Sequence, residues 1–326
     1  MKHLVPTPGT GLALPEFIEA QEAAKQYTNK AKADATRRAY AADWVRFLSW
    51  CTRCAVDPLP ASETVLKAYA AYLAQQGKAP STIERAVSAV VYVHRRAKFP
   101  SPRPRGGEVS ETLVGIRNQA SLAGFTTTKK APALAQHVRA LVGPLTHELR
   151  DVRDRALILL GFTGAFRRAE LVALDVRDIE DRAQGCKVAL RRSKTDQTGK
   201  GDFKGIPFGR HEDTCAVRAL RQWLRVSGIT EGAVFRGVNR HGKLTKRLLG
   251  SDVARIIKQR ATAAGLDAKH FAGHSLRAGF VTEAHMRGKS THSIMKQTGH
   301  RNVQTLYGYI RLAELFADNA AEDIGL

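Results

Sequence analysis

The residues richest in possible chemistry fall between His274 and Tyr309. Here stand His-Ser-Leu-Arg (His274 to Arg277), Gly299-His300, and Thr-Leu-Tyr-Gly-Tyr-Ile, which holds Tyr307 and Tyr309. His274 and Arg277 are three apart, so a helix carries them on one face. Arginine, histidine and tyrosine together suit attack on a phosphodiester, with a tyrosine hydroxyl as nucleophile and cations holding the phosphate's charge. Other readings of the same residues stay open at this level. His270 precedes His274 by four, the spacing of a helical zinc pair, although Arg277 beside it would repel a cation. His300 alone fits a hydrogen-bonded core histidine, and the two tyrosines fit packing aromatics.

Two upstream segments carry further candidates. In Gly-Phe-Thr-Gly-Ala-Phe-Arg-Arg-Ala-Glu (Gly161 to Glu170), Arg167 and Glu170 are three apart. The carboxylate can steer the guanidinium, or the two form an ordinary surface ion pair with Arg168 as one more exposed cation. Lys194, in Arg191-Arg192-Ser193-Lys194-Thr195-Asp196, sits on a turn between two expected strands. An ammonium there can reach into a groove and protonate a leaving alkoxide. A solvated surface lysine has the same spacing.

These residues need elements to hold them. Helical periodicity starts at Thr36, with Tyr40, Trp44, Phe47, Leu48 and Cys51 inward. A second helix is expected from Ser62, with Leu66, Tyr69 and Leu73 inward. A third should begin at the capping box Ser81-Thr82-Ile83-Glu84, and a fourth carries Val109, Leu113 and Ile116. Four short helices with no strand pattern predict a small all-α domain over residues 34–125, preceded by an arm or loosely docked helix over 1–33. The polar run from Thr126 to Pro132 reads as a linker. Beyond it, over 133–326, helices are expected at 134–142, 152–162, 215–226, 253–264, 276–286 and 293–298. Between the second and third of these, Lys187–Arg192 and Phe203–Phe208 flank a turn-rich loop, predicting one antiparallel hairpin. The fold class expected is mainly α with a small antiparallel β-sheet.

Charge narrows the partner. The chain of 326 residues has a net charge of +22. There are 17 basic against 10 acidic residues before Thr128, and 35 against 20 from there on. Positive charge spread over both halves suits a folded protein with an extended cationic surface, for which nucleic acid is the natural partner. No basic amphipathic helix with a bulky apolar face points to a membrane. Four cysteines (Cys51, Cys54, Cys186, Cys215) are too few for a disulfide scaffold, and Cys51 and Cys54 read as buried or half-buried thiols at the end of a helix. With no signal-peptide pattern and no membrane-spanning run, a reducing cytoplasmic setting is expected.

In combination the motifs become specific. Arg-x-x-Glu, a hairpin lysine, His-x-x-Arg, Gly-His and a tyrosine nine residues after that histidine occur in order. The chain thereby resembles the tyrosine recombinases, or phage-type integrases. TRRAYAADWVRFLSWC is similar to the first helix of that family's core-binding, SAM-like domain, and LRRSKTDQTGKGD to its catalytic hairpin. GHSLRAGF and QTGHRNVQTLYGYIR are similar to its two C-terminal motifs.

The resemblance implies a site-specific DNA recombinase with an N-terminal core-binding domain and a C-terminal α+β catalytic domain. It implies Arg167 and Arg277 as phosphate clamps, Glu170 as their supporting acid, Lys194 as general acid, His274 as an aid to proton transfer and His300 as a phosphate ligand. Tyr309 is implied as the nucleophile, forming a 3′-phosphotyrosyl link. Its offset from His300 and the following Ile310-Arg311 favour it over Tyr307. No cofactor is implied, neither ATP nor a metal. Arg37, Arg38, Arg85, Arg95, Arg96, Arg191 and Arg192 are candidate DNA contacts. Double-stranded DNA sites are the expected partner, with a dimer on each site and a synaptic tetramer joined through the C-terminal tail, where Leu312, Leu315 and Phe316 would face inward; a tail helix that closes its own core fits the same pattern. The competing functions are a type IB topoisomerase-like relaxing enzyme and a non-catalytic DNA-binding accessory protein.

Overall fold

A computed structural model of the chain describes residues 15–30, 34–125, 131–191 and 201–310. It divides into two compact units, one up to Thr127 and one from Thr128 onward. Among the described residues no helix is long and apolar enough to cross a membrane.

The first unit opens on an exposed helix, α1 (Pro15–Lys30). Four helices follow: α2 (Asp34–Cys54), α3 (Glu63–Gln75), α4 (Pro80–Arg96) and α5 (Glu108–Leu122). Their inward faces meet in a core of Phe47, Trp50, Leu66, Tyr69, Ile83, Val87, Val90, Val109 and Leu113. Phe47 and Tyr69 pack edge to face at 4.9 Å, a geometry that adds to their area burial. Ser62 caps α3 by accepting from the Val65 amide. The expected capping box at Ser81 does not form. Pro80 begins α4 behind Ala79, and Glu84 is drawn instead to Arg103 Nη1 at 2.6 Å. Cys51 is buried as expected, but Cys54 is exposed, because it lies on the solvent side of the last turn.

The second unit is built on α6 (Ala135–Val142), α7 (Leu149–Thr163) and α8 (Arg168–Ala173). A three-stranded antiparallel sheet follows, in the order β1 (Ile179–Arg182), β2 (Gly185–Leu190), β3 (Asp202–Pro207). Then come α9 (Ala216–Ser227), a two-stranded ribbon of β4 (Arg236–Val238) and β5 (Leu244–Arg247), and α10 (Gly250–Ala263). The chain closes with α11 (Ser275–Met286), α12 (Thr291–Thr298) and α13 (Val303–Ile310). The expected hairpin is β2–β3, and β1 and the β4–β5 ribbon are additions to it. Helix α7 is buried on nearly every side and forms the axis of the core, with Leu157, Ile158 and Leu160 fully enclosed. Trp223 of α9 lies against it and donates from Nε1 to the Val234 carbonyl at 2.7 Å, so its burial leaves no orphan donor.

The chain is anchored as soon as it reaches the second unit. The Ala131 amide donates to the His270 carbonyl at 3.0 Å and the Ala133 amide to the Ser275 carbonyl at 2.9 Å. Both acceptors flank the start of α11, so one residue of the expected linker, Ala131, and the residue just beyond it, Ala133, are held there already. Gly279 makes the approach possible: a Cβ on it would stand 2.0 Å from the Ala133 carbonyl oxygen. Gly279→Ala should therefore destabilise the fold despite alanine's better helix propensity. Overpacking against backbone costs about 2 kcal/mol net, a fall in the melting midpoint of roughly 4–8 °C for a unit of this size. Thermal unfolding followed by circular dichroism measures it, and an unchanged midpoint would contradict the contact.

Candidate active site

The site is assembled where α7 ends and where α11, α12 and α13 begin or end. After α7 the chain turns through Ala165, whose φ of 48° is left-handed. That turn presents the Ala165 carbonyl to Arg277 Nη1 at 2.7 Å. Arg167 follows, just ahead of α8. Its amide donates to Glu170 Oε2 at 2.9 Å and its Nη1 to Glu170 Oε1 at 2.6 Å. The Glu170 side chain is only 4% exposed, so this pair is not the surface ion pair its spacing allowed. The carboxylate holds backbone and guanidinium of Arg167 together and leaves the other guanidinium nitrogens to point elsewhere.

His274 stands at the N-cap of α11 and Arg277 in its first turn. Arg277 is 1% exposed. Helix α12 ends at Gly299, whose φ of 69° gives the left-handed turn that carries the chain into His300. Helix α13 docks through Leu306 against Val281 and Ile294, and Tyr309 packs onto that cluster. The docking delivers Tyr309 to the histidines. Its hydroxyl and His274 Nε2 share a hydrogen bond at 2.6 Å, and its ring lies 5.8 Å from that of His274 and 6.0 Å from that of His300. Tyr307, two residues earlier, is exposed. His270 is exposed as well, its Nδ1 lying 3.9 Å from Asp267, while His274 is turned to the tyrosine.

Electrostatics set the protonation states. Partial desolvation, followed by the charges of Arg277, Arg168 and Arg167, holds the His274 imidazole below its ordinary range, although solvent reaches one side of the ring. His300 is pushed down to about 4 by burial first and then by Arg277 and Arg167. Both histidines are thus neutral at pH 7, and His274 can accept the tyrosine proton. The two guanidiniums pull the Tyr309 hydroxyl down, but burial outweighs them and its pKa lies above the ordinary value. The phenolate is therefore not preformed. Arg277 itself is pushed down to about 10, by burial and then by the like charge of Arg167. Among the described residues, the buried nitrogens Arg277 Nη2 and His300 Nδ1 have no hydrogen-bond partner. Cationic donors gathered around a protonated tyrosine on a neutral base form an arrangement suited to an anion that the tyrosine attacks.

The remaining candidates are scattered. Lys194 and Arg192 lie outside the described residues. Arg191 donates to Asp175 at 2.6 Å and to Asp178 at 2.5 Å, which braces the base of the hairpin. In the first unit Arg37, Arg38, Arg95 and Arg96 are exposed, Arg37 with Asp34 as a partner. Arg85 is tied to Asp43, from its Nε at 2.7 Å, and Arg46 binds the same carboxylate. Asp43 is buried. Burial pushes its pKa up, but the hydrogen bonds from Arg85 and Arg46 more than offset that and hold it below the usual carboxylate range. Three residues beyond those singled out from the sequence take part in the architecture: Asp43, Lys204 and Gln297. The signal for Lys204 was its period-two partnership with Ile206, which puts a lysine on the inward face of β3.

Comparison with known proteins gives the family. The phage integrase family model matches residues 125–315. An integrase/recombinase xerD homolog of Selenomonas ruminantium is 38% identical over 301 residues, covering 91% of this chain and 87% of that protein. The recombinase cre of Escherichia phage P1 is 26% identical, over 81% and 80%. Among solved structures, a lambda integrase dimer bound to a COC′ core site superposes with a TM-score of 0.58 at 16% identity, over 92% of this chain and 95% of that one. The Tn1549 transposon integrase in complex with transposon right end DNA gives 0.58 at 14%, over 88% and 92%. These structural matches show the fold. The chain belongs to the phage integrase family, the tyrosine recombinases, and is a site-specific DNA recombinase of that type.

Proposed function

We propose that Tyr309 is the nucleophile of a DNA cleavage and religation reaction in which Arg167 and Arg277 clamp the scissile phosphate. The observation that carries this reading is the Tyr309 hydroxyl on His274 Nε2 at 2.6 Å, beside two guanidiniums. As Tyr309 Oη bonds to phosphorus, its proton passes to His274. The extra charge on the pentacoordinate phosphorane is met by Arg167 and Arg277 and by a hydrogen bond from His300. The bond from phosphorus to the 5′ oxygen then breaks, and Lys194 supplies the proton that makes the leaving group a hydroxyl. The product is a 3′-phosphotyrosyl link, which conserves the energy of the phosphodiester. A 5′-hydroxyl of another strand reverses the step, His274 returns the proton to Tyr309, and strands are exchanged without ATP or metal.

The first unit, over 34–125, serves as the core-binding domain, with Arg37, Arg38, Arg85, Arg95 and Arg96 on the phosphate backbone, joined by Arg191 and Arg192 from the hairpin. Buried Asp43 would hold Arg46 and Arg85 ready for the same backbone. The protein acts as a dimer on each site and a tetramer in synapsis, in the cytoplasm where its DNA lies. A cavity of about 950 Å³ on the second unit offers an apolar seat for the tail, which lies outside the described residues, whether it comes from the same protomer or from its neighbour. Phe162, Phe280, Ala284 and Ile294 line it, and Arg139 and Arg287 add positive charge. The tail carries Leu312, Leu315 and Phe316 together with Glu314, Asp318, Glu322 and Asp323, an apolar and acidic complement.

A nicked duplex library with a randomised centre tests the reaction. Cleavage near the nick releases a short fragment and traps the enzyme. A denaturation-resistant adduct that blocks the 3′ end and leaves a free 5′-hydroxyl is expected, and sequencing the trapped DNA yields the preferred duplex. Adducts joined to 5′ ends, or none, would overturn the reading.

A further inference from the structure

Lys204 is the only buried lysine among the described residues, at 2% exposure. The mechanism above makes no use of it. Its Nζ donates to the Gln297 carbonyl and lies 5.3 Å from the centre of the Phe166 ring. Gln297 answers in kind: its Nε2 donates to the Gly205 carbonyl at 3.1 Å and to the Thr163 carbonyl at 3.0 Å. Strand β3 and helix α12 thus hold one another reciprocally, each by a side chain on the other's backbone. The third member of the contact, Thr163, is two residues ahead of Ala165, whose carbonyl holds Arg277.

The place of this contact in α12 matters. Gln297 lies in the last turn, where carbonyls lack partners within the helix and a cation is favoured. Two residues later comes the left-handed Gly299, and His300 directly after it. Pinning the 297 carbonyl and side chain therefore fixes the turn that aims His300. The Lys204 amine is also enclosed: its charged neighbours are Glu170, Arg277, Asp202 and Arg167. Burial pushes it down to about 8, the guanidiniums add to that, and Glu170 and Asp202 draw it back up. It remains mostly an ammonium at pH 7, as a donor to a carbonyl should.

We propose that Lys204 and Gln297 form a clasp between β3 and α12 that positions His300 on the scissile phosphate. Lys204 is a positioning residue in this scheme and not the proton donor, which is Lys194. The inference rests on the reading of His300 as a phosphate ligand.

Single-turnover cleavage of the duplex selected above, made as a nicked suicide substrate, provides the test. It uses the full-length protein with Lys204→Met or Gln297→Met, each alone and combined with His300→Ala. Gln297 is partly exposed, so its variant carries the test should Lys204→Met fail to fold. Each single variant should lower the cleavage rate constant about 10- to 100-fold while duplex affinity stays within about twofold. Neither should slow His300→Ala by more than about twofold, because the clasp acts through that histidine. A substrate with sulfur at the 5′-bridging position needs no proton on its leaving group, and it should restore Lys194→Ala but neither clasp variant.

A full additional loss on the His300→Ala background, or unchanged single-variant rates, would overturn the clasp. Rescue of Lys204→Met by the bridging sulfur would make Lys204 the acid instead. If His300→Ala itself cleaves normally, the assignment of His300 fails and takes the clasp with it. If wild-type protein forms no adduct, the reading of the whole site fails.

Discussion

Tyr309→Phe is expected to abolish the covalent adduct on a nicked suicide duplex, while Tyr307→Phe leaves it intact. The two side chains differ in surroundings more than in sequence position. Tyr309 packs on the Val281–Ile294–Leu306 cluster, and its hydroxyl is on His274 at 2.6 Å. Tyr307 is exposed. With Tyr309 as the proposed nucleophile, loss of its hydroxyl oxygen removes the atom that would form the phosphotyrosyl bond, so no adduct above background should survive denaturation. Binding of uncleaved duplex should be nearly unchanged, because the phenyl ring still fills its site. The pH profile adds a second check. With His274 held below its ordinary range, it remains a base as pH falls through about 6.5, where an unperturbed imidazole would be half protonated. Wild-type cleavage should hold its rate through that point and decline only at lower pH. An adduct formed by Tyr309→Phe protein would move the nucleophile elsewhere, with Tyr307 first in line.

The second large effect concerns Arg277. Arg277→Gln should reduce cleavage by about 10³-fold or more, the usual consequence of losing a preorganised charge on a developing phosphorane. Its stability effect should run the other way. Arg277 is almost wholly enclosed, has an unpartnered Nη2 and lies beside the like charge of Arg167, all of which disfavour the folded state. A neutral amide can still donate to the Ala165 carbonyl. The melting midpoint of Arg277→Gln should therefore match or exceed that of the wild type. Sulfate, a phosphate mimic, should raise the wild-type midpoint by more than the variant's, the difference over its general stabilising effect reporting the site. A variant that melts well below wild type would mean the guanidinium is a structural support, not a charge held in readiness for the phosphate.

The sequence made much of this architecture legible where periodicity was long and composition sharp. Helices α2 to α5 announce themselves through inward residues at helical spacing, and the hairpin β2–β3 through its turn-rich loop. Arg167, Glu170, His274, Arg277, His300 and Tyr309 stood out by type and order, and the fold brings them to one place. Short elements left no such trace. β1 (IEDR) and β5 (LTKR) are four residues each and carry three and two charges, too brief for alternation to register. Asp43 looked like a solvent residue on an amphipathic helix, because the two arginines that make its burial tolerable come partly from α4, 42 positions away. Spacing from Ile206 could put Lys204 on the inward face of β3, but its partner was hidden for a similar reason: the carbonyl that accepts from it lies 93 residues downstream. The net upward shift of the Tyr309 hydroxyl was not legible either, since charges can be read from residue types but enclosure cannot.

The anchoring of Ala131 and Ala133 on the start of α11 bears on where the catalytic part can be cut free. A fragment beginning at Ala135 would keep every residue of the site yet strip the His270 and Ser275 carbonyls of their partners. It would also bare the groove over Gly279, beside the helix that bears Arg277. The separable catalytic piece therefore has to begin ahead of Ala131. Any strain on the Ala131 and Ala133 amides is thus borne at the start of the helix that carries Arg277.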